Sequence, residues 1–296
     1  MTRPRPAARL APLVLLPALL AAINPARAQD AACHPAGRTE ERLAAVGPRG
    51  ELRLESGARA RLDGVRWPDD PAAAARAEAW LMAHRDRPLA VAWRGETDRW
   101  GRRGADVVSD PEAEPVDLAA GLVAAGLAPV DAGEADALCR PALLVAEGAA
   151  RSAGRGLWAE PVARSDEAAR LAAGAGRFMV AEGRVRSVGE RRAWTYLNFA
   201  APGVDSLTVT LSRRTWRTLV ARGLDAAALR GRLVRARGLV EVRRGPVIEV
   251  AAPEMLEVLD GGVAGRQEDR RREDRVREDR RRDGSAGGAG RAGNGR

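Results

Sequence analysis

The chain contains no lysine: all 49 of its basic residues are arginine. It has one tyrosine, two phenylalanines, two histidines and two cysteines. Each shortage closes a possibility. His34 and His84 are too few to build a histidine-dependent triad or a zinc site, and both are read as structural or exposed. Two cysteines cannot form a disulfide scaffold. No Walker or dinucleotide glycine motif is present, and Gly101-Arg102-Arg103-Gly104 reads as a turn leading into a strand. With aromatics at 3%, the cores must be built from Leu, Val and Ala, which the 45% apolar content supplies. The 296 residues are enough for two ordinary domains.

The absence of lysine beside abundant Ala and Gly looks like coding bias, so the net charge of +9 is a poor guide to partners. Its distribution is more informative. Residues 29–160 hold 17 Arg against 22 acids, a net −5, whereas residues 177–260 hold 15 Arg against 9 acids, a net +6. An acidic half precedes a basic half, which argues against one continuous nucleic-acid stripe.

Arg3, Arg5 and Arg9 precede an apolar run from Leu10 to Ile23, and Ala26-Arg27-Ala28 offers small residues for cleavage. Residues 1–28 are therefore expected to be a signal peptide, and the mature protein a secreted or periplasmic one. No later apolar run is long enough to span a bilayer, so no membrane span remains after cleavage. In an oxidising compartment Cys33 and Cys139, the latter placed in a helix, are expected to pair as a disulfide. Closing a loop of that length contributes about 2–4 kcal/mol.

Between Gly50 and Val65, Leu52 and Leu54 alternate with polar residues, Glu55-Ser56-Gly57 turns, and Ala60 and Leu62 resume the alternation, which predicts a hairpin. Asp70 and Pro71 predict the start of a helix that runs to about His84. Strands are expected at Leu89–Trp93 and Arg102–Val108, and helices at Val116–Ala125 and Asp136–Ser152, with Trp158 as a core anchor. Residues 161–176 read as a polar, Ala-rich linker. Beyond it, Met179–Val188, Trp194–Phe199 and Ser206–Leu211 read as a meander, Arg214–Leu229 as a helix broken at Gly223, and Leu233–Val242 and Val247–Val250 as closing strands. That order matches an OB barrel. A Glu-Asp-Arg pentad repeats through residues 268–282, and the tail at 261–296 is expected to be charged and disordered.

Four stretches in the first half, Leu52–Asp69, Thr97–Val107, Asp117–Pro129 and Leu143–Trp158, resemble the staphylococcal-nuclease-like (thermonuclease) family, in family order and over most of residues 48–158. The resemblance implies an OB-type barrel with added helices at 29–160. It also implies calcium-dependent phosphodiester hydrolysis by two aspartate ligands, a glutamate and two arginines. The first ligand position matches Gly50, in Pro48-Arg49-Gly50-Glu51, and the second matches Arg66, in Arg66-Trp67-Pro68-Asp69. Neither can donate an oxygen from its side chain, so no calcium or other cofactor is expected. Glu51 and Asp63 are displaced by odd numbers of positions, which in a regular strand turns them to the opposite face. Asp69 matches the glutamate but is one methylene shorter, and Arg61 and Arg102 match the phosphate-holding arginines.

Two readings of the arginines follow. Arg61, Arg66 and Arg102 either converge on an anion pocket, or Arg66 pairs with Asp63, Asp69 or Asp70. Residues 177–260 more weakly resemble an OB-fold module. Strand alternation would present Trp194 and Tyr196 for base stacking, with Arg184, Arg186, Arg235 and Arg237 lining a basic groove. Trp216 reads as core. The sequence as a whole reads as mainly β with helices, two OB-type barrels in tandem, the first a degenerate nuclease. Its expected partners are single-stranded nucleic acid or an envelope protein. The competing classes are an active phosphodiesterase using Arg61, Asp69 and Arg102, and a structural envelope protein.

Overall fold

The computed structural model describes residues 33–35, 37–133, 135 and 137–260. The expected signal peptide at 1–28 and charged tail at 261–296 lie outside the described residues. The fold is mixed α+β, with strands predominating and gathered into two curled sheets. Among the described residues no helix is long and apolar enough to cross a membrane.

Strands β1 (Arg38–Glu41), β2 (Leu43–Val46), β3 (Leu52–Leu54), β4 (Arg59–Leu62), β5 (Leu89–Arg94), β6 (Arg103–Ser109) and β7 (Val116–Asp117) make the first sheet. Its order is β1-β5-β6-β4-β3-β2, with β7 on β6. The expected hairpin is β3 and β4, where Leu52, Leu54, Ala60 and Leu62 are buried while Arg53 and Arg61 face outward. β1 and β2 lie outside the expected strands. Arg-Thr-Glu-Glu has no apolar alternation, and β1 is held by its antiparallel backbone pairing with β5.

Helix α1 (Pro71–Met82) begins as its sequence predicts: Asp70 Oδ1 accepts from the Ala73 amide at 2.8 Å, and Pro71 occupies the first turn. Ala73, Ala77 and Leu81 recur every four residues and form its buried stripe. Helix α2 (Leu118–Ala124) is capped in the same way by Asp117. Helix α3 (Ala142–Ser152) starts later than the expected Asp136, with Pro141 at its N-cap. Proline disfavours helical geometry in the residue before it, so the helix cannot extend back through Arg140. Cys139 therefore precedes the helix instead of lying within it. It does form the expected disulfide with Cys33, with Cα atoms 5.1 Å apart across 106 positions of sequence.

The second sheet comprises β8 (Ala163–Arg164), β9 (Phe178–Arg184), β10 (Ser187–Glu190), β11 (Trp194–Asn198), β12 (Thr208–Ser212), β13 (Leu233–Val242), β14 (Pro246–Val250) and β15 (Leu256–Val258). Its order is β10-β11-β12-β14-β13-β9-β8, with β15 on β13. Helices α4 (Ala168–Ala173), α5 (Arg213–Ala221) and α6 (Ala226–Leu229) accompany it. Residues 161–176, a linker by composition, thus supply a strand paired with β9 and a short helix. Strand β13 pairs with β9 along Leu233–Leu239 and with β14 along Val240–Val242, so one strand serves both curled halves. Gly238 makes this possible, because a Cβ there would lie 2.4 Å from the Glu249 carbonyl oxygen of β14.

One apolar cluster runs through both sheets, including Leu52, Val91 and Leu122 from the first and Leu197, Val209 and Ile248 from the second. A satellite at their junction joins Ala150 of α3 and Trp158 to Val180 of β9. The same junction holds an ionic cluster. Glu147 of α3 and Arg237 of β13 are both fully buried and hydrogen-bonded to each other. Glu147 also accepts from the Val130 amide at 2.9 Å. Arg237 donates to Glu257 at 2.6 Å, and Arg235 donates to Glu182 at 2.6 Å and to Glu257 at 3.0 Å. A buried pair of this kind is expensive to break because either partner alone is a stranded charge.

Candidate functional site

The position where the resemblance puts the first metal ligand is filled by an indole. Gly50 adopts φ 75°, and a Cβ added to it would lie 2.2 Å from the ring of Trp67, so glycine is needed both for the turn and for the close approach. Its neighbour Glu51 is buried and fully engaged, accepting from Arg59 Nη2 at 2.7 Å and from the Arg49 amide at 3.2 Å. Burial pushes this carboxyl up, but Arg59 and the nearby amides outweigh it and hold it below the usual range. At the second ligand position Arg66 lies between Asp131 at 3.8 Å and Asp69 at 3.9 Å, with its guanidinium 5.8 Å from the Phe178 ring. Asp69 accepts from the Phe178 amide at 3.0 Å. It therefore braces the second sheet against the first.

Asp63 sits in a different ionic cluster, 3.9 Å from Arg94, which in turn binds Asp106 through Nε at 3.0 Å. Burial raises the Asp63 pKa, and the negative charge of Asp106 adds to this against the pull of Arg94, Arg61 and Arg140. Calcium takes six to eight oxygen ligands. These residues do not offer them: Gly50 has no side chain, Arg66 repels a cation, and Glu51 and Asp69 already accept hydrogen bonds. Among the described residues, no group of three or more His, Cys, Asp or Glu is placed to hold a metal ion.

Arg61 is exposed and, like Arg66, exerts its field on Asp131, whose pKa burial raises despite the Gly133 amide and both arginines. Arg102 is paired with Asp98. Its Nε donates to Asp98 at 2.9 Å, its backbone amide does likewise, and its guanidinium lies 4.8 Å from the Trp100 ring. Slight burial pushes the Asp98 carboxyl up, but the bonds from Arg102 and the Trp100 amide prevail and lower it. His84 is buried and meets Ser109 Oγ through Nδ1 at 3.0 Å, which makes it a core contact.

No protein-family model matches the chain, and no curated protein matches it either. The residues themselves must carry any assignment of function.

On the second sheet, β11 alternates as its sequence predicts. Thr195 and Leu197 are buried, while Trp194 and Tyr196 share the other face and are each half-buried. The expected basic groove needs correction. Arg235 and Arg237 share a face of β13, but that face is buried at the junction of the two sheets, where Glu147, Glu182 and Glu257 meet them. Arg184 is exposed and paired with Asp260 at 2.8 Å, and Arg186 is exposed.

The arginines open to a ligand lie at the other end of β11. A cleft of about 450 Å³ runs between the β10–β11 turn, which supplies Arg191 and Arg192, and α5, which supplies Arg213, Trp216 and Arg217. Trp194 forms one wall. Ser212 caps α5 by accepting from the Thr215 amide at 3.1 Å, which fixes the helix at the end of β12. Trp216 is buried as expected, and its Nε1 donates to Glu190 at 3.0 Å, so its ring is locked as the floor of the cleft. Among the described residues, Arg192, Arg213 and Arg217 have no carboxylate partner. Sequence reasoning missed these residues. The available signal was the i, i+3, i+4, i+7 spacing of Arg213, Trp216, Arg217 and Val220, which places them on one helix face.

Proposed function

We propose that the chain is a non-cleaving relative of staphylococcal-nuclease-like proteins, two OB-type barrels in tandem that hold nucleic acid without hydrolysing it. The first barrel would span residues 29–160 and the second 177–260, in a protein acting in the periplasm or outside the cell. The disulfide between Cys33 and Cys139 is compatible with an oxidising compartment.

One observation carries the loss of catalysis: the two ligand positions hold Gly50 beneath the Trp67 ring and Arg66 between Asp69 and Asp131. A divalent ion placed there would meet an aromatic face and a fixed cation. The binding role is supported by the basic second half, with half-buried Trp194 and Tyr196 on one strand face and, close by, guanidiniums that have no ion-pair partner among the described residues. Phosphate contacts made by arginine weaken steeply with salt because condensed counterions are released on binding.

The test is a pair of measurements on the intact mature protein. Incubation with single- and double-stranded DNA and RNA, with and without calcium, is expected to leave the substrate uncut. Anisotropy of a labelled oligothymidylate is expected to show binding that falls as salt rises. Calcium-dependent cleavage by pure protein, abolished in Arg102→Ala, would overturn the reading, and so would failure to bind any oligonucleotide at low salt.

A further inference from the structure

The geometry points to the cleft between α5 and the β10–β11 turn as a site for the end of a nucleotide chain, taking one base together with a phosphate monoester. This rests on the nucleic-acid reading above and goes further by naming the site and the part of the ligand it takes.

Three features of the cleft converge on that chemistry. The first is excess positive charge: four arginines line the cleft against one carboxylate, Glu190, which already accepts from Trp216 Nε1. Arg192, Arg213 and Arg217 line one small space with no carboxylate partner among the described residues, and Arg191 stands beside them with its Nη1 on the Glu190 carbonyl at 3.2 Å. Guanidiniums crowded together repel one another until an anion joins them. Their planar forks fit the oxygens of a phosphate in bidentate fashion. A monoester, with its extra charge and its additional free oxygen, satisfies more of those donors than the diester of a chain interior does.

The second feature is the pair of indoles. Trp216 is pinned by its hydrogen bond to Glu190 and is nearly covered, whereas Trp194 is half-buried and leaves part of its ring toward the cleft. A flat apolar wall beside clustered cations suits a heterocyclic base attached to a phosphate, because the base can stack where the anion is already held. An acidic peptide would use the arginines and leave the indole idle.

The third feature is size. At about 450 Å³ the cleft belongs with small-molecule pockets, and Thr195 and Val220 complete its lining. That is room for one nucleotide and not for a track of several bases. A free mononucleotide and the phosphorylated terminus of an oligonucleotide share this chemistry, so the experiment must separate them.

Titration calorimetry on the full mature chain would use adenosine monophosphate, adenosine, a 5′-phosphorylated short oligodeoxyadenylate and its unphosphorylated counterpart. It would be repeated with Arg213→Ala/Arg217→Ala and with Trp194→Ala. Circular dichroism and a thermal melt would confirm that each variant keeps the parent fold. The expected result is that the terminal phosphate strengthens binding by about tenfold, and that the double arginine variant loses that gain. Trp194→Ala is expected to weaken both phosphorylated ligands. If adenosine monophosphate binds as well as the phosphorylated oligomer, the natural ligand is a free nucleotide. If it binds much more weakly, the site takes a chain terminus.

Equal affinity for phosphorylated and unphosphorylated oligomers, or folded variants within about twofold of the parent, would overturn the site while leaving nucleic-acid binding elsewhere intact. No binding of any oligomer would overturn both. Competition by polyglutamate as strong as that by the phosphorylated oligomer would show an acidic-protein surface and overturn the nucleotide assignment.

Discussion

At the junction of the two sheets Arg235 and Arg237 are buried against Glu147, Glu182 and Glu257, whereas at the α5 cleft Arg192, Arg213 and Arg217 face solvent with no ion-pair partner among the described residues, the one carboxylate in the lining, Glu190, being engaged by Trp216 Nε1. The residue type is the same and both groups belong to the second half of the chain, yet one group is consumed in holding the fold and the other is left open to solvent. In a chain whose bases are all arginine, positive charge by itself says little about function. What separates the two groups is whether an acid has been placed opposite.

The most disruptive way to probe this contrast is to strand a charge at the junction. Glu147→Ala leaves Arg237 buried without its partner and is expected to cost about 3–5 kcal/mol in urea unfolding. Replacing both, as Glu147→Leu with Arg237→Met, is expected to recover most of that loss, since a matched apolar pair avoids desolvating two ions. A single replacement costing under about 1 kcal/mol would show that the sheets are held by their shared apolar core alone.

Next in size is the covalent brace. Removing the disulfide as Cys33→Ser/Cys139→Ser is expected to lower stability by about 2–4 kcal/mol, read from the same denaturant midpoint. The link ends one residue from Leu138, whose amide donates to Glu254 at 3.1 Å, so its loss loosens the junction and not the cleft.

A smaller effect should appear in pH dependence. Burial raises the Asp131 pKa above its unfolded value, against the Gly133 amide, Arg66, Arg61 and Arg237. Its contribution to stability is therefore fully present below the ordinary aspartate pKa and is lost as pH rises through the higher folded value. Asp131→Asn is expected to remove that decline, giving a flatter stability profile just above the usual aspartate range. An unchanged profile would mean that Asp131 titrates normally in the fold.

The smallest expected effect sharpens the other side of the contrast. Arg213→Ala/Arg217→Ala should leave stability within about 0.5 kcal/mol of the parent, as for surface substitutions generally. A large loss would mean that these arginines, too, are structural.

Much of the fold was legible because local signals were strong. The alternation of Leu52, Leu54, Ala60 and Leu62, the Asp70-Pro71 helix start and the break at Gly223 each appear where the sequence puts them. Strand β1 was not legible because its four residues, Arg-Thr-Glu-Glu, acquire strand geometry only from β5, some fifty positions away. The site was less legible for a related reason. Alternation correctly put Arg235 and Arg237 on one face of β13, but whether that face meets water or carboxylates depends on Glu147, Glu182 and Glu257, which no local pattern reveals. The cleft was missed because Trp216 was read only as core, although it is both core and cleft floor.

The pairing of Glu147 with Arg237 also sets an order of events. Ninety positions separate the two residues, so a chain synthesised from its N-terminus completes α3 long before β13 exists. During that interval the Glu147 carboxyl must stay hydrated, and α3 cannot settle into its final seat. The first half of the molecule is thereby kept waiting for the second, and its last step of consolidation is timed by the arrival of one late guanidinium.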